Sequence, residues 1–161
     1  MNSKKKVTIE VFEEHDEVTF YSIRINSNED LEADDFFGKT FDYKKFEEDI
    51  GIMSKVIDRI GEKGADPRNF RRAGKSVDDV GALPDYLYSS KLRLYAIRLS
   101  DNIVILGNGG LKTTKTYNED PYLNECVETL MKIDRFLKSR LKNGSVTLYK
   151  SQLFGNLNFT L

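Results

Sequence analysis

The chain reads as an α+β domain in which a largely antiparallel, twisted sheet is packed by two long amphipathic helices. Three observations lead there. Two alternating segments near the start are separated by only five residues, a second alternating pair stands at the middle of the chain, and two long stretches carry apolar residues three or four apart. Strands come in runs with helices between them instead of a regular strand–helix alternation, which is the α+β pattern. With 161 residues, the chain has the usual size of one domain and buries roughly two thirds of its unfolded surface without crosslinks. Residues 1–161 are read as a single domain.

The first element, Lys6 to Phe12, sets Val7, Ile9 and Val11 against polar neighbours. Val18 to Ile25 repeats the alternation, and the intervening EEHDE predicts an antiparallel hairpin whose turn faces water. His15 lies in that turn and reads as solvated. Residues 26–42 are acidic and aperiodic, and read as a loop or a short helical turn. Their carboxylates lack the twelve-residue spacing of a calcium loop and read as a solvated face. From Asp42 to Glu62, the residues Tyr43, Phe46, Ile50, Met53, Ile57 and Ile60 form one stripe of a helix. Thr40 or Asp42 caps its start, and Gly61 and Gly64 supply the stop.

Asp66 to Pro84 shows no sustained period and reads as a basic loop carrying Arg68, Arg71, Arg72 and Lys75 around Phe70. Lys91 to Leu99 alternates strongly, and Ile103 to Leu106 is a continuous apolar run, as in a strand buried on both faces. The two predict a hairpin at the middle of a sheet. Gly107, Gly109 and Gly110 follow, as a bulge or tight turn; GNGG matches neither a phosphate loop nor a dinucleotide fingerprint. A second long helix starts at Asp120 and Pro121, runs along Leu123, Cys126, Val127, Leu130, Ile133, Phe136, Leu137 and Leu141, and ends at Asn143 and Gly144. Cys126, inside the stripe, reads as an inert thiol. Val146 to Tyr149 and Leu153 to Leu161 add a last strand or hairpin.

Composition narrows the function classes. Apolar residues are 39% and charged residues 32% of the chain, which excludes collagen-like and disordered classes. No run is long and apolar enough for a membrane helix, and the start lacks the apolar segment of a secretory signal, so a cytoplasmic location is expected. One cysteine and one histidine leave a zinc site short of ligands. Neither metal nor cofactor is implied. Charge is uneven. Residues 1–66, the acidic hairpin and helix, hold ten Lys or Arg against seventeen Asp or Glu, whereas 86–161, the basic central hairpin, helix and C-terminal extension, hold eleven against six. Such a separation lets one face attract a polyanion, or lets the two halves simply offset each other.

KLRLYAIRLSDNIVILGNGGLKTTKTY resembles the central part of the RelE/HigB-type toxins of bacterial toxin–antitoxin systems, over roughly residues 91 to 141. There a strand carrying an arginine pairs with a hydrophobic strand, followed by a glycine, a basic turn, a tyrosine and a helix. The resemblance implies a RelE/ParE-like fold and metal-independent endonucleolytic cleavage of mRNA, with or without the ribosome. It also implies a cognate antitoxin protein as partner and no membrane association, and leaves a homo-oligomer open. Residue by residue, Arg93 matches the family's arginine, Lys112 its basic residue after the glycine and Tyr117 its catalytic tyrosine, with Lys115 a further cation. Arg68, Arg71, Arg72, Lys75 and Arg98 are then RNA contacts.

The chemistry asks for such groups. Attack of a 2′-hydroxyl on its own phosphate builds charge on the phosphoryl oxygens and on the leaving oxygen. A guanidinium at Arg93 holds phosphate through paired hydrogen bonds, Lys112 or Lys115 stabilises the developing charge, and Tyr117 moves a proton or stacks on a base. The segment before Arg93 reads DYLYSS, where the family carries a basic pair. That difference supports the other reading, a noncatalytic member of the same fold that binds protein or regulates.

Overall fold

The computed structural model describes residues 4–41, 44–75 and 78–161. The first two alternating runs form β1 (Lys6–Glu14) and β2 (Thr19–Ile25), antiparallel, with Val7 opposite Ile25 and Ile9 opposite Ile23. Their turn is open to water at Glu13, Glu14, Asp16 and Glu17, as expected, but His15 is not simply solvated. His15 packs edge-on to Phe20 at 5.4 Å, its Nε2 lies 2.9 Å from Glu13 Oε2, and its ring covers Gly61, where an added Cβ would meet it at 2.3 Å. The amides of Glu17 and Val18 both donate to the Gly61 carbonyl. A glycine here lets the hairpin turn rest on the helix that follows.

Residues 26–42 were expected as loop or a short turn, but helix α1 (Glu32–Phe41) fills much of this stretch. Ala33 and Phe36 face the core, three apart, while Glu32, Asp34 and Asp35 lie in the first turn, where acids favour the helix dipole. Acidity masked the period. Thr40 lies within α1 and so does not start the next helix, and Asp42 and Tyr43 lie outside the described residues. That next helix, α2 (Glu47–Lys63), buries Ile50, Met53, Val56, Ile57 and Ile60 and begins at Phe46 without a side-chain cap. Gly61 is inside it; Gly64, at φ 108°, follows its end.

The basic segment 66–84 is also more regular than expected. A short turn, Pro67–Asn69, leads into β3 (Arg71–Arg72), and β4 (Val80–Leu83) returns beside it. Strands of two and four residues are too short to show a period. The central hairpin is present as β5 (Leu92–Ser100) and β6 (Ile103–Leu111). Gly107, Gly109 and Gly110 continue β6 and make no turn. The pairing slips by one residue between Leu94 opposite Gly109 and Ala96 opposite Leu106, a bulge on the glycine side. At Gly109 a Cβ would stand 1.8 Å from the Arg93 carbonyl, so the backbones approach where only glycine fits.

Helix α3 (Pro121–Asn143) is capped by Asp120, which accepts from the amides of Tyr122 and Leu123, and it ends at Gly144. Of its stripe, Leu123, Val127, Leu130, Ile133 and Leu137 are buried, each worth roughly 1.5–3 kcal/mol against exposure; Phe136 is exposed. The tail forms a separate hairpin, β7 (Val146–Tyr149) and β8 (Gln152–Gly155), then β9 (Asn158–Thr160).

The main sheet runs β3-β4-β5-β6-β2-β1-β9, antiparallel except for β2 beside β6, which is parallel. One face carries α1 and α2, with Phe20, Leu94, Val104 and Leu106 beneath them. The other carries α3 and the β7–β8 hairpin over Tyr21, Tyr95, Ile97, Ile103 and Ile105. The described residues form a single α+β domain with three α-helices, one more than expected, around a mostly antiparallel sheet. Among the described residues no helix is long and apolar enough to cross a membrane.

Candidate nucleic-acid interface

Alternation along β5 sends Leu92, Leu94 and Ala96 toward α2 and leaves Arg93, Tyr95 and Ile97 toward α3. Opposite Arg93 stands Gly110, where an added Cβ would contact Leu123 and Tyr122 of α3. Arg93 thus sits on the α3 face, at the sheet end near the start of that helix. Cross-strand pairing puts Arg71 opposite Ala82, and Ala82 opposite Tyr95, so Arg71 shares this face.

The two guanidinium groups are half-buried neighbours. Arg71 Nε donates to the Pro84 carbonyl at 2.9 Å and its Nη2 to the Tyr88 carbonyl at 2.7 Å, while its guanidinium lies 4.7 Å from the Tyr86 ring centre. Arg93 Nη1 donates to the carbonyls of Ser90 and Leu92. Burial, and then the like charge of Arg71, lower the Arg93 pKa below its ordinary value. Among the described residues neither arginine forms a salt bridge. Two adjacent cations whose like charges repel, with no carboxylate between them, form a place where an anion lowers the energy.

The lysine turn adjoins this end of the sheet, since the Lys112 amide donates to the Lys91 carbonyl next to the last pair of β5 and β6. Lys112 Nζ is held inside the turn by the carbonyls of Thr114 at 3.0 Å and Lys115 at 2.9 Å. Lys115 itself is exposed. A capping box between Thr116 and Glu119 fixes the short turn Tyr117–Glu119 and sets the Tyr117 ring 6.2 Å from that of Tyr95. Tyr95 is 1% exposed, its hydroxyl has no hydrogen-bond partner among the described residues, and burial raises its pKa.

The structure therefore brings Arg93, Arg71, Tyr117 and the Lys112 turn to one end of one face. Other candidates lie elsewhere. Arg98 is on the α2 face, five residues along β5 and so roughly 16 Å away; it donates to the Ala65 carbonyl and to Asp101. Arg98 thus does not join the Arg71–Arg93 patch. Arg68 is 91% exposed and forks onto Asp66 with two contacts of 3.1 Å, holding the Asp66 carboxyl down at about 2. Arg72 and Lys75 are exposed, Arg72 on the face of β3 opposite to Arg71.

Sequence reasoning did not single out Tyr86 and Tyr95. Tyr95 was within reach, since it shares the alternation of Arg93; Tyr86 was not, because only the β3–β4–β5 register brings its loop beside Arg71. An open groove of about 660 Å3 continues the patch past Tyr86, lined by Arg59, Arg68, Asn69, Phe70 and Leu87 among others. Its acids are matched by its arginines, Asp85 with Arg59 at 2.6 Å and Asp66 with Arg68. Compared with family models, with curated proteins and with solved structures, the chain gives no match.

Proposed function

We propose that the chain acts on RNA through the Arg71–Arg93 end of its sheet, as a RelE/HigB-like endoribonuclease of RelE/ParE-like fold. The single observation carrying this is the pair of neighbouring, half-buried arginines without a carboxylate. Phosphate between the two guanidinium groups replaces repulsion with paired, charge-assisted hydrogen bonds. Arg93 holds the scissile phosphate. Lys112 or Lys115 stabilises the charge on its oxygens once the turn lets go of the ammonium. Tyr117 delivers a proton to the leaving 5′-oxygen, the proton of the attacking 2′-hydroxyl passes to water, and Tyr86 offers a stacking face for a base. A cognate antitoxin protein silences the activity by covering this end.

The test is cleavage of a defined messenger, with and without ribosomes, by wild type and Arg93→Ala. Wild type should cut, and Arg93→Ala should cut roughly a hundred- to a thousandfold more slowly. Wild-type protein that neither binds nor cuts RNA overturns the reading.

One observation favours the second reading, a noncatalytic module of the same fold. The charged groups of Arg93 and Lys112 are already spent on main-chain carbonyls. His15, the one histidine, sits at the far turn against Glu13 and Gly61. RNA binding that is tight, salt-dependent and lost in Arg93→Ala, without cleavage under either condition, selects this reading.

A further inference from the structure

The parallel pair of the main sheet creates a second site, independent of the RNA reading. From the end of β2 the chain turns to α1 on one face, and from β6 it goes to α3 on the other. Adjacent parallel strands whose continuations leave to opposite faces open a crevice at their carboxyl ends, where small ligands settle in sheets of this kind. The pairing of β2 with β6 stops at Ser22 opposite Leu106, and the bulge at Gly107 and Asn108 follows at once.

A cavity of about 120 Å3 occupies that crevice, lined by Ile23, Ile25, Glu32, Gly107, Asn108 and Tyr122 among others. An engineered cavity of roughly 150 Å3 admits benzene, so there is room for one small flat group. Its rim is open to water: Lys5 pairs with Glu125 there, and their side chains are 34% and 59% exposed.

The charges around the cavity are not evenly matched. Lys5 is taken by Glu125. Lys39 lies 3.7 Å from Asp35 and donates to the Tyr122 hydroxyl, and Asn108 Nδ2 donates to Asp35 at 2.7 Å. Glu32 is left without a salt bridge among the described residues. Burial moves its carboxyl above the usual range, opposed by a hydrogen bond from Asn108. Cys126, also lining the cavity, is pushed up to about 11 by burial and so is a thiol, not a nucleophile.

We infer that this crevice binds a small planar cation, a guanidinium or amidinium head, with its fork on the Glu32 carboxylate and its flat face along Tyr122 and Ile25. A guanidinium suits the place better than an ammonium, because it is less strongly hydrated, matches a carboxylate with two parallel bonds and lies flat against an aromatic ring. The head arrives either on a free small molecule or on an arginine of a partner chain.

Titrating the full chain with methylguanidinium, benzamidinium and acetyl-arginine amide, with benzoate and toluene as comparators, tests this by backbone amide NMR. The three cations should shift the amides of Glu32, Gly107, Asn108 and Tyr122, and the comparators should not. Tighter binding of the arginine amide than of methylguanidinium points to a peptide source, and the reverse to a free ligand. Glu32→Gln, which keeps shape and helix, should weaken binding roughly ten- to a hundredfold. No shift with any cation, equal shifts with benzoate, or undiminished binding by a folded Glu32→Gln each overturns the inference. Shifts confined to Arg71 and Arg93 do so as well. RNA binding by Glu32→Gln is unchanged on this account, so failure here and failure of the RNA reading are separable.

Discussion

Arg93 and Arg98 belong to the same strand, yet the two ends of β5 treat them in opposite ways. At the Arg98 end the arginines each have an acid: Arg98 meets Asp101 and Arg68 meets Asp66. Arg98 also bonds the carboxyl end of the α2 connection through the Ala65 carbonyl. At the Arg93 end, burial is similar but no acid arrives, and the nearest charge is another arginine. Residue type is the same at both ends. What separates a structural cation from one free for a ligand is whether the fold supplies its counter-charge, and neighbouring strands decide that, not the strand itself.

The sharpest way to break this comparison is to disarm each end and measure RNA affinity. Replacing Arg71 and Arg93 together by alanine should weaken binding of a short RNA by roughly a hundredfold or more, because two charge-assisted contacts are lost. Replacing Arg68 and Arg98 together should cost less than about threefold, since each is already neutralised by its own carboxylate. Filter binding at fixed salt reads both. Equal losses would mean that the protein presents only diffuse positive charge.

Stability should divide the same two residues the other way, with a smaller effect. Arg98→Ala strands the carbonyl of Ala65, a residue with no exposure, and should cost about 1–3 kcal/mol. The ion pair with Asp101 adds little, because Asp101 is 78% exposed. Arg93→Met gives up two carbonyl contacts but removes a half-buried charge and its repulsion from Arg71, so the net change should stay below about 1 kcal/mol. Urea melts of the two variants check this. A larger loss for Arg93→Met would make that arginine a structural strut.

This difference between the ends was only half legible beforehand. Alternation revealed β1, β2 and β5, and the Asp120–Pro121 start and Asn143–Gly144 stop marked α3 almost to the residue. The apolar spacing of α1 was there too, in Ala33, Phe36 and Phe37, but five acids in seven residues made it resemble a solvated loop. Arg93, Lys112 and Tyr117 were singled out by the family resemblance and not by any local pattern. That Arg71 would join them, and Arg98 leave, depends on how β3 and β4 pair with β5. Strands of two and four residues carry no readable period, and pairing across a sheet is a long-range property. The crevice at Glu32 was hidden for the same reason, since nothing local announces that β2 lies parallel to β6.

The smallest expected effect sharpens the neutralised end. The side-chain and backbone hydrogen bonds from Arg68 hold Asp66 ionised down to about 2, against an ordinary value of 3.8. A carboxyl with a lowered folded pKa favours the folded state above its unfolded pKa, and that contribution fades as pH falls from about 3.8 through about 2. The pair is open to water, so little stability is at stake and the informative observable is the titration itself. Carbon-detected NMR of the Asp66 carboxyl should give a midpoint near 2 in wild type, rising toward the ordinary range in Arg68→Ala, with the Arg71→Ala midpoint unmoved. A midpoint that ignores Arg68 but follows Arg71 would mean that the cations of this loop act as one field, and the contrast between the two ends of β5 would dissolve.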